Sequence, residues 1–504
     1  MNIKQAKQEI QNTLRAYLAK DDLGNYLIPT VRQRPVLLMG PPGIGKTQIM
    51  AQIAQETGVG LVAYTITHHT RQSAIGLPFI QQRTYGEQTF SVTEYTMSEI
   101  LASVYQLMEK TGLKEGILFL DEINCVSETL APMMLQFLQC KTFGNQALPE
   151  GWLIVAAGNP PEYNKSVRDF DVVTLDRVKR IDVGEDFAVW KEYARKKGIH
   201  GAVISYLDIK KDHFYRIETT VDGLQFATAR GWEDLSEIIL AYEKLGLQVD
   251  REVVGQYIQL PRIAKDFANY LELYYKYQRI YHVEDILQGT WQAITVSELR
   301  ASPFDEKLSV MGLVLSRLLE SSKQVRVQDA LTGALHTTLK SFKAALEQTP
   351  PRQALAQLIA ARQAAMKMAK EAGQLDKDTR DLKMREINAL ERYRSCLTDQ
   401  DITDDQAFEA VKGWFGEEVS RRKELAQQTS AMFDNAFRFL EETFSQGQEL
   451  VMFVTEITAG FDTSWFVENF GCDAYFRHNR ELLFDETQQR IRDSIAVARE
   501  DGAL

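Results

Sequence analysis

Two short stretches carry residue types at the spacing of a phosphate-transfer site. Lys46 and Thr47 close the run Gly40-Pro41-Pro42-Gly43-Ile44-Gly45-Lys46-Thr47, which fits the pattern G-x-x-x-x-G-K-[ST]. Asp121 and Glu122 end the apolar run Ile117-Leu118-Phe119-Leu120. In the loop, glycines let successive backbone N–H groups turn toward phosphate oxygens, and the start of the following helix adds partial positive charge. The lysine suits the β- and γ-phosphates, and the threonine hydroxyl suits Mg²⁺. Asp121 is expected in the metal's coordination shell. Glu122, one residue on, points elsewhere and can accept a proton from an attacking water. A nucleoside triphosphate is the ligand these residues predict.

Asn159 is a third candidate, because it follows the apolar run Trp152-Leu153-Ile154-Val155-Ala156-Ala157-Gly158. A strand-end amide beside the phosphate site can orient the lytic water or contact the γ-phosphate. An asparagine favoured simply because Pro160 follows it in a turn accounts for the residue equally well.

The elements that must position these groups are legible from periodicity. Val36-Leu37-Leu38-Met39 reads as a buried strand and residues 48–54 as the helix after the loop. Residues 61–66, 117–120, 152–158 and 181–183 read as further strands. Residues 79–83 and 88–92 flank Tyr85-Gly86-Glu87 as a hairpin. A capping signal, Thr96 with Glu99, predicts a helix running to about Lys110. An amphipathic helix is expected over residues 3–18. Strands alternating with helices predict a doubly wound parallel sheet with ligand at the strands' carboxyl ends.

From Phe187 onward strand signals fade and helical periodicity takes over. A helix is expected with its cap near Thr228. Tyr270, Tyr274, Tyr277 and Tyr281 form one stripe at helical spacing, read as interdomain packing rather than a base-stacking surface. Residues 376–394 are expected as an exposed or coiled helix, and Thr403 with Gln406 as a capping box before another. Residues 450–458 fit a strand or a buried helix equally.

The chain has 504 residues, 44% of them hydrophobic and 25% charged, a globular composition for two or three domains. No apolar run reaches the length of a membrane span, and no signal peptide is expected at the N-terminus. Four dispersed cysteines argue against a disulfide framework or thiolate zinc site and suit a reducing, cytoplasmic location. A net charge of −11 disfavours nucleic acid as a partner. His68-His69, Cys472 with His478, and Asp401, Asp404 and Asp405 lack a complete ligand set, so no metal is assigned to them. Trp414-Phe415 is read as core packing.

These stretches resemble, in order, the AAA+ ATPases and specifically their MoxR-type branch. The resemblance covers the loop at 40–47, Asp121-Glu122-Ile123-Asn124, Ala156-Ala157-Gly158-Asn159-Pro160, Leu175-Asp176-Arg177 and Ala227-Thr228-Ala229-Arg230-Gly231-Trp232. It spans roughly residues 25–245. It implies an α/β parallel-sheet P-loop AAA+ core (1–185) and an α-helical lid (186–260); helical periodicity, not the resemblance, predicts a mainly α-helical C-terminal region (261–504), expected to dock a partner or client. By the same resemblance Lys46 and Thr47 look like Walker A, Asp121 and Glu122 like Walker B, and Asn159 like sensor 1. Arg230 looks like sensor 2 and the hairpin at 79–92 like the branch's helix-2 insert. Arg177 looks like the arginine finger, with Arg180 close enough to compete for the role; Val178 stands where the family usually has an aromatic residue. ATP hydrolysis with Mg²⁺ is implied, in a ring, expected to be a hexamer. A partner with a von Willebrand factor A-type domain is implied too, for remodelling or metal insertion. A nucleic-acid motor or loader, or a nucleotide-gated scaffold with little turnover, are the alternative expectations.

Overall fold

The computed structural model describes residues 1–480 except 69–70, 144–145, 164–166, 168–169, 221–222, 372–374, 400–401 and 446. Of the residues weighed for metal binding, His69 and Asp401 lie outside this set. The chain forms two compact units: Met1–Val189 with Ala360–Lys383, and Trp190–Ile359 with the chain from Met384 onward.

Among the described residues of the first unit, nine strands follow in order: β1 Val36–Met39, β2 Gly60–Thr65, β3 Pro78–Tyr85, β4 Gln88–Tyr95, β5 Gly116–Asp121, β6 Thr142–Phe143, β7 Gln146–Ala147, β8 Trp152–Gly158 and β9 Lys179–Asp182. Five make one parallel sheet in the order β2-β5-β8-β1-β9. β3 with β4, and β6 with β7, form separate antiparallel hairpins. The three central strands β5, β8 and β1 read as unbroken apolar runs because the sheet is covered on both faces. Along β5, Ile117 and Phe119 join a core with Leu38, Val155 and Ile53, while Leu118 and Leu120 join another with Leu37, Ile154 and Phe137. Helix α1, Ile3–Leu18, buries Ala6, Ile10 and Leu14 against the first core. Helix α2, Lys46–Thr57, buries Ile49, Met50 and Ile53 there. The sheet order sets the carboxyl ends of β5, β8 and β1 side by side, with Met39 opposite Gly158.

In this unit one cap differs from expectation. The helix Glu99–Thr111 is capped at Ser98 without a side-chain cap bond. The Thr96 hydroxyl instead accepts the Leu77 N–H at 2.8 Å and closes the base of the β3–β4 hairpin.

The second unit is mainly helical, with one hairpin that sequence periodicity did not predict: β10 Arg216–Thr220 and β11 Gly223–Ala227. Its apolar residues, Ile217, Leu224, Phe226 and Ala227, are scattered among polar ones and mostly only partly buried, so no unbroken apolar run betrays it. Thr228 caps the helix Ala229–Leu245, accepting the Gly231 N–H at 3.2 Å. The tyrosine stripe lies on the helix Pro261–Ile280 and just beyond it, and it packs rather than presents a surface. Tyr270 donates to Ser205 at 2.9 Å, and Tyr274 and Tyr281 are each 4% exposed. Two long helices, Phe304–Ala345 and Asp404–Phe444, pack along one another. Thr403 caps the second of these without the side-chain bond a capping box requires. The charged stretch forms the helix Lys377–Asp399, which buries Ile387, Leu390, Tyr393 and Leu397. Trp414 stacks on Tyr393 and Phe415 on His336. The undecided stretch at 450–458 is a helix, Gln448–Ala459, that buries one face through Leu450, Phe453, Val454 and Ile457, with Phe453 edge-on to Phe437. Among the described residues no single helix is long and apolar enough to cross a membrane. Gln448–Ala459 and Phe461–Phe470 pass that test only as a pair, bent by 88°, and they bury Phe453, Ile457 and Phe466 in this unit's core.

Candidate functional site

β1 delivers the chain into the loop, and close packing dictates its first glycine. A Cβ on Gly40 would lie 2.4 Å from the Val183 carbonyl oxygen. Gly45, at φ +92°, turns the chain into α2 in a left-handed conformation that an L side chain resists. α2 then starts at Lys46, so its unsatisfied N–H groups and partial positive charge face the loop.

The Lys46 side chain is buried and folds back over that loop. Its Nζ donates to the carbonyls of Gly40 and Pro41, each at 2.7 Å, and to Asn159 Oδ1 at 2.8 Å. Thr47 Oγ1 donates to Asp121 Oδ2 at 2.7 Å, and Asp121 Oδ1 accepts the Glu122 N–H at 2.9 Å. Glu122 adopts φ +57°, an uncommon conformation for a residue with a side chain, which swings it out of the line of β5. Lys46, Thr47, Asp121 and Asn159 are therefore joined by direct bonds, with Glu122 next to them. A hydroxyl and a carboxylate at bonding distance form an all-oxygen donor set, which fits a hard divalent cation rather than a thiolate or imidazole metal.

Two further residues belong to the site and were not singled out from the sequence. Thr67, in the turn after β2, donates from Oγ1 to Glu122 Oε2 at 2.8 Å. Asn124 is 3% exposed and bonds the backbone of Asn159 through both ends of its amide. Asn124 was visible in the Asp121-Glu122-Ile123-Asn124 run. Thr67 had no signal beyond its place at a strand end, because nothing local says that β2 lies beside β5.

The candidate arginines lie elsewhere. Arg177 is exposed in the first unit and donates to Gln139 on the helix Ala131–Cys140. Arg180, on β9, is paired with Asp182 of the same strand at 2.8 Å. Val178, between them, is buried in the sheet's core. Arg230 belongs to the second unit, exposed on the first turn of Ala229–Leu245.

A five-stranded parallel sheet, a glycine loop entering a helix, and a strand-end carboxylate bonded to the helix's first hydroxyl define a P-loop nucleotide-binding fold. Residues 35–178 match the family model described as AAA domain (dynein-related subfamily), so the first unit carries an AAA domain. ATPase family gene 2 protein homolog B of Bos taurus is 33% identical over 93 residues, which is 18% of this chain and 10% of that protein. The chain thus spans about a tenth of that relative's length. A solved structure, NtrX from Brucella abortus in complex with ADP, shares 15% identity at a TM-score of 0.27, covering 47% of this chain and 49% of that one. Nothing about this chain follows from a likeness of that size.

Proposed function

We propose that this protein is an ATP hydrolase of the MoxR-type AAA+ branch that couples turnover to remodelling of a protein partner. The observation that carries the hydrolase reading is the bonded set Lys46–Asn159 and Thr47–Asp121 with Glu122 beside it. Lys46 and the backbone N–H groups of the loop's second half, Gly43 to Thr47, hold the phosphates, with Gly40, Pro41 and Pro42 shaping the loop's entry. Thr47 and Asp121 would hold Mg²⁺, which would supply positive charge against the phosphates. Glu122 takes a proton from the water that attacks the γ-phosphorus. The bond to the β–γ bridging oxygen breaks, leaving ADP and phosphate. Asn159, its Oδ1 turned to Lys46, directs its Nδ2 donor at the γ-phosphate or the water. A lid at 186–260 carries Arg230 as a γ-phosphate sensor, giving the differential affinity between ATP and ADP states that a switch requires.

The resemblance to the MoxR-type branch supports two further assignments: a head-to-tail ring in which an arginine completes a neighbour's site, and a partner with a von Willebrand factor A-type domain. The four dispersed cysteines support a cytoplasmic setting. The net charge of −11 favours a protein client over nucleic acid.

Glu122→Gln tests the core of this reading. It should keep triphosphate affinity while turnover falls about 10²–10⁴-fold. Wild-type turnover would remove Glu122 from the mechanism. Pull-down with the same triphosphate-loaded variant should retain the partner protein. Salt-sensitive retention of DNA in its place would overturn the remodelling reading.

A further inference from the structure

We infer that Asn124 is a positioning residue for Asn159, acting through the main chain rather than through the nucleotide. The inference rests on the reading that Asn159 serves the γ-phosphate or the attacking water.

The β5–β8 ladder pairs residue with residue only as far as Leu120 opposite Ala156. Beyond that point β5 has turned away at Glu122, and main-chain pairing continues with a single bond, Ile123 N–H to the Ala157 carbonyl at 2.9 Å. The next residue of β8's continuation is Asn159, and there a side chain takes over from the strand. Asn124 Nδ2 donates to the Asn159 carbonyl at 2.8 Å, and Asn124 Oδ1 accepts the Asn159 N–H at 3.3 Å. One planar amide therefore mimics a neighbouring strand and holds residue 159 at both its polar groups. Only a carboxamide offers a donor and an acceptor together on one short planar group. An aspartate can accept but not donate, and an aliphatic side chain can do neither.

The amide is also confined from behind. A Cβ on Gly158 would lie 2.7 Å from Asn124 Oδ1 and 3.1 Å from Met39 Sδ, so no larger residue fits between clamp and strand. From the clamped backbone the Asn159 side chain reaches Lys46 Nζ at 2.8 Å. Asn124 thus sets where the Asn159 amide stands, through the main chain of residue 159. Such a residue should govern the rate of turnover rather than the affinity for triphosphate, which the loop backbone and Lys46 supply.

The test compares wild type with Asn124→Asp, Asn159→Ala and the double variant, measuring turnover and triphosphate affinity on the full chain. Asn124→Asp keeps the size and the acceptor but loses the donor and sets a carboxylate against the Asn159 carbonyl. It should lower kcat about 10-fold or more, with affinity within about 3-fold of wild type. Added to Asn159→Ala, it should cause no further fall, because the group it positions is gone. Wild-type turnover in Asn124→Asp, or losses that multiply in the double variant, would overturn the inference while leaving the role of Asn159 intact. Wild-type turnover in Asn159→Ala would end the reading on which it rests and the inference with it. If Asn124→Asp does not fold, Gly158→Ala reaches the clamp from the other side. It should show the same kcat loss at unchanged affinity, and wild-type turnover there would equally overturn the inference.

Discussion

Thr67 Oγ1 and Glu122 Oε2 are 2.8 Å apart, which ties the turn after β2 to the residue that follows Asp121. The link exists because β2 and β5 are neighbours in register, with Thr65 opposite Asp121. Glu122 sits at φ +57°, a conformation that costs a residue with a side chain about 1–2 kcal/mol, and the Thr67 bond holds the carboxylate while the backbone bears that cost. Thr67→Val keeps the shape and removes the donor. Turnover should fall about 10–150-fold, the scale of one hydrogen bond to a charged group, with triphosphate affinity unchanged. Steady-state kinetics in wild-type and Glu122→Gln backgrounds checks this, since an effect that persists in Glu122→Gln would not act through Glu122.

Lys46 has a structural duty as well as an electrostatic one. Its Nζ satisfies the Gly40 and Pro41 carbonyls and Asn159 Oδ1 at once. Lys46→Ala should weaken binding of a fluorescent triphosphate analogue at least about 10-fold, because it removes a charge-assisted partner and leaves three acceptors unmatched. Titration with the analogue measures it, and affinity equal to wild type would exclude Lys46 from phosphate binding.

Arg177 is exposed and bonded to Gln139, which places its guanidinium on the surface of the first unit. If it completes a neighbour's site, Arg177→Ala should lose turnover about 10³-fold. Mixing it with Glu122→Gln, whose Arg177 is intact, should then restore part of the rate. Absence of restoration would speak against a shared site. The same pair of measurements on Arg180→Ala decides between the two arginines.

Lys141 supplies a pH dependence outside the nucleotide site. It ends the helix Ala131–Cys140, is 8% exposed, and donates to the Thr30 carbonyl at 3.0 Å. Burial pulls its pKa down from the ordinary 10.5 to about 8. Below pH 8 the lysine is charged in both folded and unfolded chains, and the folded state bears the full cost of burying that charge. Between pH 8 and 10.5 the unfolded chain binds the extra proton, so stability rises with pH until both forms are neutral. Lys141→Met should therefore stabilise the protein at pH 7, by an amount on the order of 3 kcal/mol at most. It should also flatten the rise in denaturation midpoint between pH 8 and 10. Midpoints that rise equally in wild type and variant would assign the slope to other groups.

How much was legible in the sequence depended on what each segment buries. Val36–Met39 and Trp152–Gly158 were readable to the residue because strands covered on both faces are unbroken apolar runs. Arg216–Thr220 was not, because a partly buried strand with one apolar residue among polar ones carries no such run. The stretch at 450–458 stayed ambiguous for the opposite reason: a short helix apolar on most sides loses its period. Thr96 looked like a cap by its spacing to Glu99, yet the hairpin base competed for its hydroxyl and won.

The sequence by itself determined the chemistry on offer: a glycine loop, a lysine, a hydroxyl, paired carboxylates and a strand-end amide, because these depend on residue type and on local strand–turn–helix order. Only the tertiary structure decided which strand ends meet. The order β2-β5-β8-β1-β9 arises from crossover connections and the packing of two cores, neither of which leaves a local trace. That order brought Thr67 to Glu122 and Asn124 to Asn159, so the residues that hold the candidate catalytic groups in place emerged only once the sheet was assembled.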